Sequence, residues 1–171
     1  MLPTTEFRKA IFSDSDVIWN ILKGAIARRK SDGSIQWQDG YPNPNVIERD
    51  IQIGAGHVIT SNGAVVGYVA ILINDEPEYS RLKGEWLTNE DFVVFHRVAI
   101  EENHLGKGLA QHIFRFIEKF AKQHNIKSIR ADTNFDNLPM LAIFKKMGYH
   151  YCGEVTFRGT PRRAYEKIIL F

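Results

Sequence analysis

The sequence predicts an α/β protein, a mixed sheet of about seven strands with about four helices on its faces. Three observations lead there. Apolar residues recur at a spacing of two in some segments and about 3.6 in others, so strands and helices alternate along the chain. Asn62-Gly63 stands between two apolar runs and signals a hairpin, which brings antiparallel pairing into the sheet. Phe92 to Ile100 is almost continuously apolar, as expected of a strand covered on both faces, and an amphipathic helix and a further strand follow it.

Element by element, Phe7 to Phe12 reads as a short strand. Ser13 then caps a helix, with Asp16 three residues on in the pattern of a capping box. Val17, Ile18, Ile21, Leu22 and Ala25 follow at helical spacing, and Arg28, Arg29 and Lys30 suit the negative end of the helix dipole. Asn43-Pro44 opens a second helix, with Gly54 just past its end. His57 to Thr60 and Ala64 to Ile73 are the hairpin strands. Asn74 to Glu90 is a polar, acidic loop. After the strand Phe92 to Ile100 comes a helix from Gly106 to Gln123, with Leu109, Ile113, Ile117 and Phe120 on one face. Ser128 to Thr133 is a strand. Asn137 caps a helix that runs to Met147 and ends at Gly148. Tyr149 to Phe157 and Arg162 to Leu170 form a closing hairpin across Arg158-Gly159-Thr160-Pro161.

The 171 residues fit one domain, 1–171, without repeats, low-complexity tracts or linkers. Lysine and arginine number 22 against 20 acids, too even a balance for a protein built to grip a nucleic-acid backbone. A lone cysteine makes neither an internal disulfide nor a cysteine-rich zinc site, and the histidines lack metal-ligand spacing, so no metal is expected. The N-terminal residues lack a basic stretch followed by an apolar one, and the longest apolar run, Val65 to Ile73, is half a membrane span. These features lead to the expectation of a cytoplasmic protein that binds neither membrane nor nucleic acid.

The chemistry concentrates between His96 and Ala110. A strand ending His96-Arg97-Val98-Ala99-Ile100 leads through a short loop into Leu105-Gly106-Lys107-Gly108-Leu109-Ala110. Free N–H groups and the dipole at a helix start favour an anion, and glycine lets the backbone approach it closely. Local charge agrees. His104 to Arg130 holds six basic residues and one acid, whereas Asn74 to Asp91 holds six acids and two bases. Two glycines before a helix are also compatible with an ordinary turn. A Walker loop needs glycine where Glu101 stands and Ser or Thr where Gly108 stands, and the dinucleotide fingerprint needs a third glycine at Gln111.

The segment resembles the pyrophosphate motif of the GNAT superfamily of acyl-CoA-dependent N-acyltransferases, Arg/Gln-x-x-Gly-x-Gly/Ala. Gly108 and Ala110 match, and Leu105 stands in the Arg/Gln place. A second GNAT pattern runs from an Asn to a Tyr seven residues on and then a Gly; Asn137, Phe144 and Gly148 have that spacing, with Phe for Tyr. Ile35 to Asn43, Tyr151-Cys152-Gly153 and Arg163 to Lys167 are similar to a bacterial subgroup of unassigned substrate.

The resemblance implies a mostly antiparallel GNAT sheet, acetyl-CoA as donor and an amine of a small molecule or peptide as acceptor. It places pantetheine along Val98, Ala99 and Ile100, with the Val98 N–H on the thioester carbonyl. It places the pyrophosphate at Leu105, Gly106, Lys107, Gly108, Leu109 and Ala110, and Asn137 and Phe144 beside the donor. Trp37 and Tyr41 would wall the acceptor site, or else serve as core lids. His96 is the candidate proton acceptor, since alternation puts it on the face of Val98 and histidine titrates near neutrality; Glu85 and water are rivals. Phe144 has no proton to donate. Many GNAT proteins are dimers, and the terminal hairpin offers an edge. A non-catalytic acyl-CoA-binding or sensing module, or an unrelated nucleotide-binding domain, are the competing readings.

Overall fold

Asn62 and Gly63 take φ of +50° and +85°, the left-handed pair that a tight two-residue hairpin turn needs. In the computed structural model, which describes residues 3–171, they join β2 (Gly56–Ser61) to β3 (Ala64–Ile73). The other elements are β1 (Thr5–Lys9), α1 (Ser15–Ser31), α2 (Pro44–Gln52), β4 (Lys83–Gly84), β5 (Phe92–Ile100), α3 (Leu109–Gln123), β6 (Ser128–Asn134), α4 (Leu138–Lys146), β7 (His150–Phe157) and β8 (Thr160–Ile168). The strands hydrogen-bond in the order β1-β2-β3-β5-β6-β8-β7-β4, and β5–β6 is parallel. The mixed, mostly antiparallel sheet with four helices is the class the sequence predicts.

Residue contacts group the chain into two units. The first runs to Ile71 and adds Arg97–Ile113; the second takes Leu72–His96 and Phe114–Phe171.

In the first unit β1, β2 and β3 pair antiparallel in sequence order. The entry to α1 differs from the expected Ser13 cap. Phe12–Asp14 form a 3₁₀ turn, and the Asp14 carboxylate accepts from the Ile11 N–H at 2.9 Å and from Arg8 at 2.7 and 3.0 Å. A carboxylate that binds a backbone donor and a guanidinium together fixes this corner more firmly than a serine hydroxyl. Asn43 caps α2 as expected: its side chain accepts from the Val46 N–H at 3.2 Å, and Pro44 fills the first helical position. Ile18, Ile21, Leu22 and Ala25 of α1 bury against Ile47, Ile51, Val58, Tyr68 and Ala99, with Trp37 in the same core.

Phe92–Val94 at the start of β5 pair with Ser128–Arg130 of β6 in the second unit, and β6, β8 and β7 run antiparallel beyond. The β7–β8 turn needs only Arg158 and Gly159, at φ +47° and +76°, so β8 begins at Thr160 rather than Arg162. An eighth strand adds to the expected seven. Lys83 and Gly84 pair with Glu154 and Gly153, where a Cβ on Gly84 would stand 2.0 Å from the Cys152 carbonyl oxygen. Only glycine permits backbones that close. Asn137 caps α4 through the Met140 N–H, and Gly148, at φ +81°, ends it.

Candidate functional site

The end of β5 is held by α1 and β3 within its unit. Arg28, in the last turn of α1, donates to the Ile100 carbonyl at 2.9 Å, and the Glu101 N–H donates to the Val66 carbonyl at 2.8 Å. Gly67 lets β3 come close: a Cβ there would meet Ile59 at 2.4 Å, Ile100 at 3.1 Å and the Ala99 carbonyl at 3.3 Å. The Val98–Ile100 backbone, the expected pantetheine segment, is thus fixed by neighbours on α1 and β3. Arg97, just before it, takes φ +61°. That left-handed residue interrupts the pleat, so the period-two argument that set His96 on the face of Val98 does not hold through it.

Past Ile100, residues Glu102–His104 make a 3₁₀ turn. Glu101 closes it, accepting from the Asn103 N–H at 3.1 Å and lying 2.6 Å from His104 Nδ1. The hydrogen bond from His104 holds this carboxyl below the usual range. Gly106 and Gly108 follow at φ +75° and +77°, and a Cβ on either would meet no atom within 4 Å. The two left-handed residues exclude helix, so α3 starts at Leu109 rather than at the expected Gly106. The His112 backbone N–H donates to the Gly108 carbonyl at 3.2 Å, closing the first turn. The earlier N–H groups of that turn have no carbonyl one turn back within the helix and are available to an anion. Leu105, Gly106, Lys107 and Gly108 are exposed, Ala110 is half-buried and Leu109 enters the core. Val98 to Ala110 therefore form one continuous strand, turn and helix start.

Also in this unit, Trp37 is buried in the core, and Tyr41 is half-buried with its hydroxyl against Arg97. The burial of Trp37 in this cluster fits the core-lid alternative.

In the second unit His96 Nε2 stands 2.9 Å from Glu76 Oε2, off the direction of a hydrogen bond. The sequence reading passed over Glu76: it lies in the acidic loop, twenty positions from its partner, with no spacing to mark it. Glu76 and Glu85 both line an open cavity of about 870 Å³ whose walls also include Tyr79, Trp86, Phe92 and Arg130. The Arg130 guanidinium lies over the Trp86 and Phe92 rings at 4.3 and 4.2 Å. Glu85 is exposed. Asn137 is buried and caps α4. Phe144, 1% exposed, is enclosed by Phe95, Phe114, Tyr149 and Tyr165 at centroid distances of 4.6 to 6.5 Å. Its ring fills the core of its own unit, which corrects the expectation that it offers a surface to the donor. Burial pushes the Cys152 thiol up to about 11, the state of an inert cysteine.

Among the described residues no cluster of three His, Cys, Asp or Glu is placed to hold a metal ion, and no helix is long and apolar enough to cross a membrane.

Against known proteins, the sequence model of the acetyltransferase (GNAT) family matches residues 26–149. A GNAT-family acetyltransferase from Streptococcus agalactiae 2603, solved by crystallography, is 35% identical; 100% of this chain and 99% of that one are covered, with a TM-score of 0.88. YesJ of Bacillus subtilis (strain 168), described as an uncharacterized N-acetyltransferase, is 22% identical over 145 residues, 84% of this chain and 81% of YesJ. The structure of yncA from Salmonella typhimurium with its cofactor acetyl-CoA has the same fold, with a TM-score of 0.66 at 16% identity over 96% of this chain and 93% of that one.

Proposed function

Because this chain belongs to the GNAT acetyltransferase family, we propose that it transfers an acetyl group from acetyl-CoA to a primary amine of a small molecule or peptide by direct attack. One observation carries the reading: the unbroken strand, double-glycine turn and helix start from Val98 to Ala110, with Gly106 and Gly108 both left-handed. The first-turn N–H groups of α3 take the CoA pyrophosphate, helped by the helix dipole. Gly106, Lys107 and Gly108 leave room for it, and Leu105 provides backbone where a longer polar side chain is absent. Pantetheine follows the Val98, Ala99 and Ile100 backbone.

The Val98 N–H donates to the thioester carbonyl oxygen, where negative charge grows as the amine attacks. A C–N bond forms to the acetyl carbon, the C–S bond breaks, and CoA leaves as a thiolate. The surplus proton of the amine passes to the His96 imidazole, and the Glu76 carboxylate beside its Nε2 meets the resulting positive charge. A thiol is acidic enough for its thiolate to leave without a proton donor. Tyr41 and Glu85 are the acceptor-side candidates, and Trp37 supports the Tyr41 segment from the core. A second reading, an acyl-CoA-binding module without turnover, draws on Phe144, which puts a hydrocarbon ring in place of a phenol.

Thermal unfolding with and without acetyl-CoA tests donor binding. At 100 times its Kd a ligand of the native state adds about 2.7 kcal/mol, which for a chain of this size raises Tm by roughly 5–10 °C. No shift at millimolar acetyl-CoA in a folded sample contradicts both readings.

A further inference from the structure

Six residues other than glycine have positive φ among the described residues, and Arg97 is the one that lies inside a strand or helix. The others sit in loops or turns, three of them asparagines, the residue type that tolerates this conformation best. Arg158 meets the cost of positive φ in a tight turn beside Gly159, but Arg97 has no turn to set it there, so contacts outside the backbone keep it in that conformation.

Its guanidinium shows what does. Arg97 Nη2 donates to Asp50 Oδ1 at 2.6 Å and Nε to Oδ2 at 2.9 Å, a two-pronged pair with helix α2. Nη1 donates to the Tyr41 hydroxyl in the loop before α2. Asp50 also accepts from the Tyr68 hydroxyl of β3 at 2.5 Å. The Arg97 and Asp50 side chains are 9% and 5% exposed. Burial disfavours the charge on Arg97, but Tyr41 and Asp50 outweigh it and raise its pKa. A buried ion pair of this kind is often replaceable by apolar groups without loss of stability, so stability alone is a weak reason for it. What it does supply is a rigid, planar grip on one residue of β5 from α2 and from the Tyr41 loop.

We infer that Arg97 is a positioning residue: the Asp50–Arg97–Tyr41 cluster holds β5 in its left-handed turn and so aims the backbone of Val98 and the residues after it at the acetyl donor. The inference rests on the donor reading above. The cluster joins α2, the Tyr41 loop and the donor-binding strand in the first unit. It is an element of the site that touches neither donor nor reacting atoms.

The test compares the unaltered protein with Arg97→Ala, Arg97→Gly and Asp50→Asn. Acetyl-CoA affinity is read by calorimetry and acetyl-CoA KM by turnover, with circular dichroism confirming the fold. Arg97→Ala loses both the grip and the tolerance of positive φ, and at least tenfold weaker acetyl-CoA binding and an equal rise in KM are expected. Arg97→Gly loses the grip but adopts positive φ freely, and recovers part of that affinity. Asp50→Asn keeps the shape and removes the charge; a several-fold rise in KM is expected. A residue that only stabilised the fold would lower the amount of active enzyme and leave KM unchanged. If Arg97→Ala fails to fold, Arg97→Gly and Asp50→Asn decide. Unchanged affinity and KM in the folded variants, beside a wild type that binds acetyl-CoA, overturn this inference alone. A wild type that does not bind acetyl-CoA overturns the donor reading and this inference with it.

Discussion

Nε2 of His96 lies 2.9 Å from Oε2 of Glu76, and both side chains are more than four-fifths buried, at 17% and 13% exposure. An imidazole beside a carboxylate has a partner at hand for its charged form, which suits the proton-accepting role proposed for His96. The Glu76 side chain is itself set by the 3₁₀ turn that follows, where it accepts from the Glu78 N–H.

His96→Ala is expected to lower kcat about 10²–10⁴-fold, the usual worth of a positioned base. Acetyl-CoA affinity should hold. Glu76→Gln should give a smaller loss of kcat with the fold intact. An unchanged pH–rate profile in His96→Ala assigns the proton to Glu85 or to water.

Gly108→Val should abolish the thermal shift produced by acetyl-CoA while the protein still folds. A Cβ there meets no atom within 4 Å in the protein, so the substitution starts in open space. It does cost about 1–2 kcal/mol, because a residue with a Cβ resists φ of +77°. A modest fall in Tm without ligand and none of the ligand-induced rise is the expected pair of readings. Wild-type acetyl-CoA affinity in a folded Gly108→Val would mean that the anion site lies elsewhere.

Phe144→Ala should destabilise the protein by about 3–5 kcal/mol, as expected for emptying an aromatic site in a packed core. Phe144→Tyr should cost about 1–3 kcal/mol, because it takes a hydroxyl out of water into a packed cluster of rings. Restoring the family's Tyr is therefore expected to lower stability rather than raise kcat. Denaturant unfolding of both variants, with kcat measured on the folded fraction, checks this. A Phe144→Ala protein of wild-type stability and weakened acetyl-CoA binding would put the ring back beside the donor.

Much of this fold is legible in the sequence because its signals are local. Asn62-Gly63 fixes a hairpin turn, Asn43-Pro44 and Asn137 begin helices by their own chemistry, and the apolar run Phe92 to Ile100 is a strand from its first residue to its last. The glycine turn before α3 is legible for the same reason. What escaped the sequence depends on distant partners. Lys83–Gly84 is too short to show a period, and pairs only because Gly84 meets Gly153. Nothing in the identity of Arg97 announces a left-handed backbone; Asp50, 47 positions away, holds it. Glu76 meets His96 through the path of the acidic loop, which its composition does not specify. Phe144 has the spacing of a site residue, but only the rings around it show that it faces the core.

The most direct measurement of the central claim is CoA release from acetyl-CoA, followed by thiol appearance across a panel of small amines, amino acids and peptides. The account predicts release that rises with one class of added amine, saturates with it, and yields the N-acetylated amine by mass spectrometry in equal amount. Tight binding of acetyl-CoA with no amine-dependent release from any member of the panel would contradict it and leave the acyl-CoA-binding module.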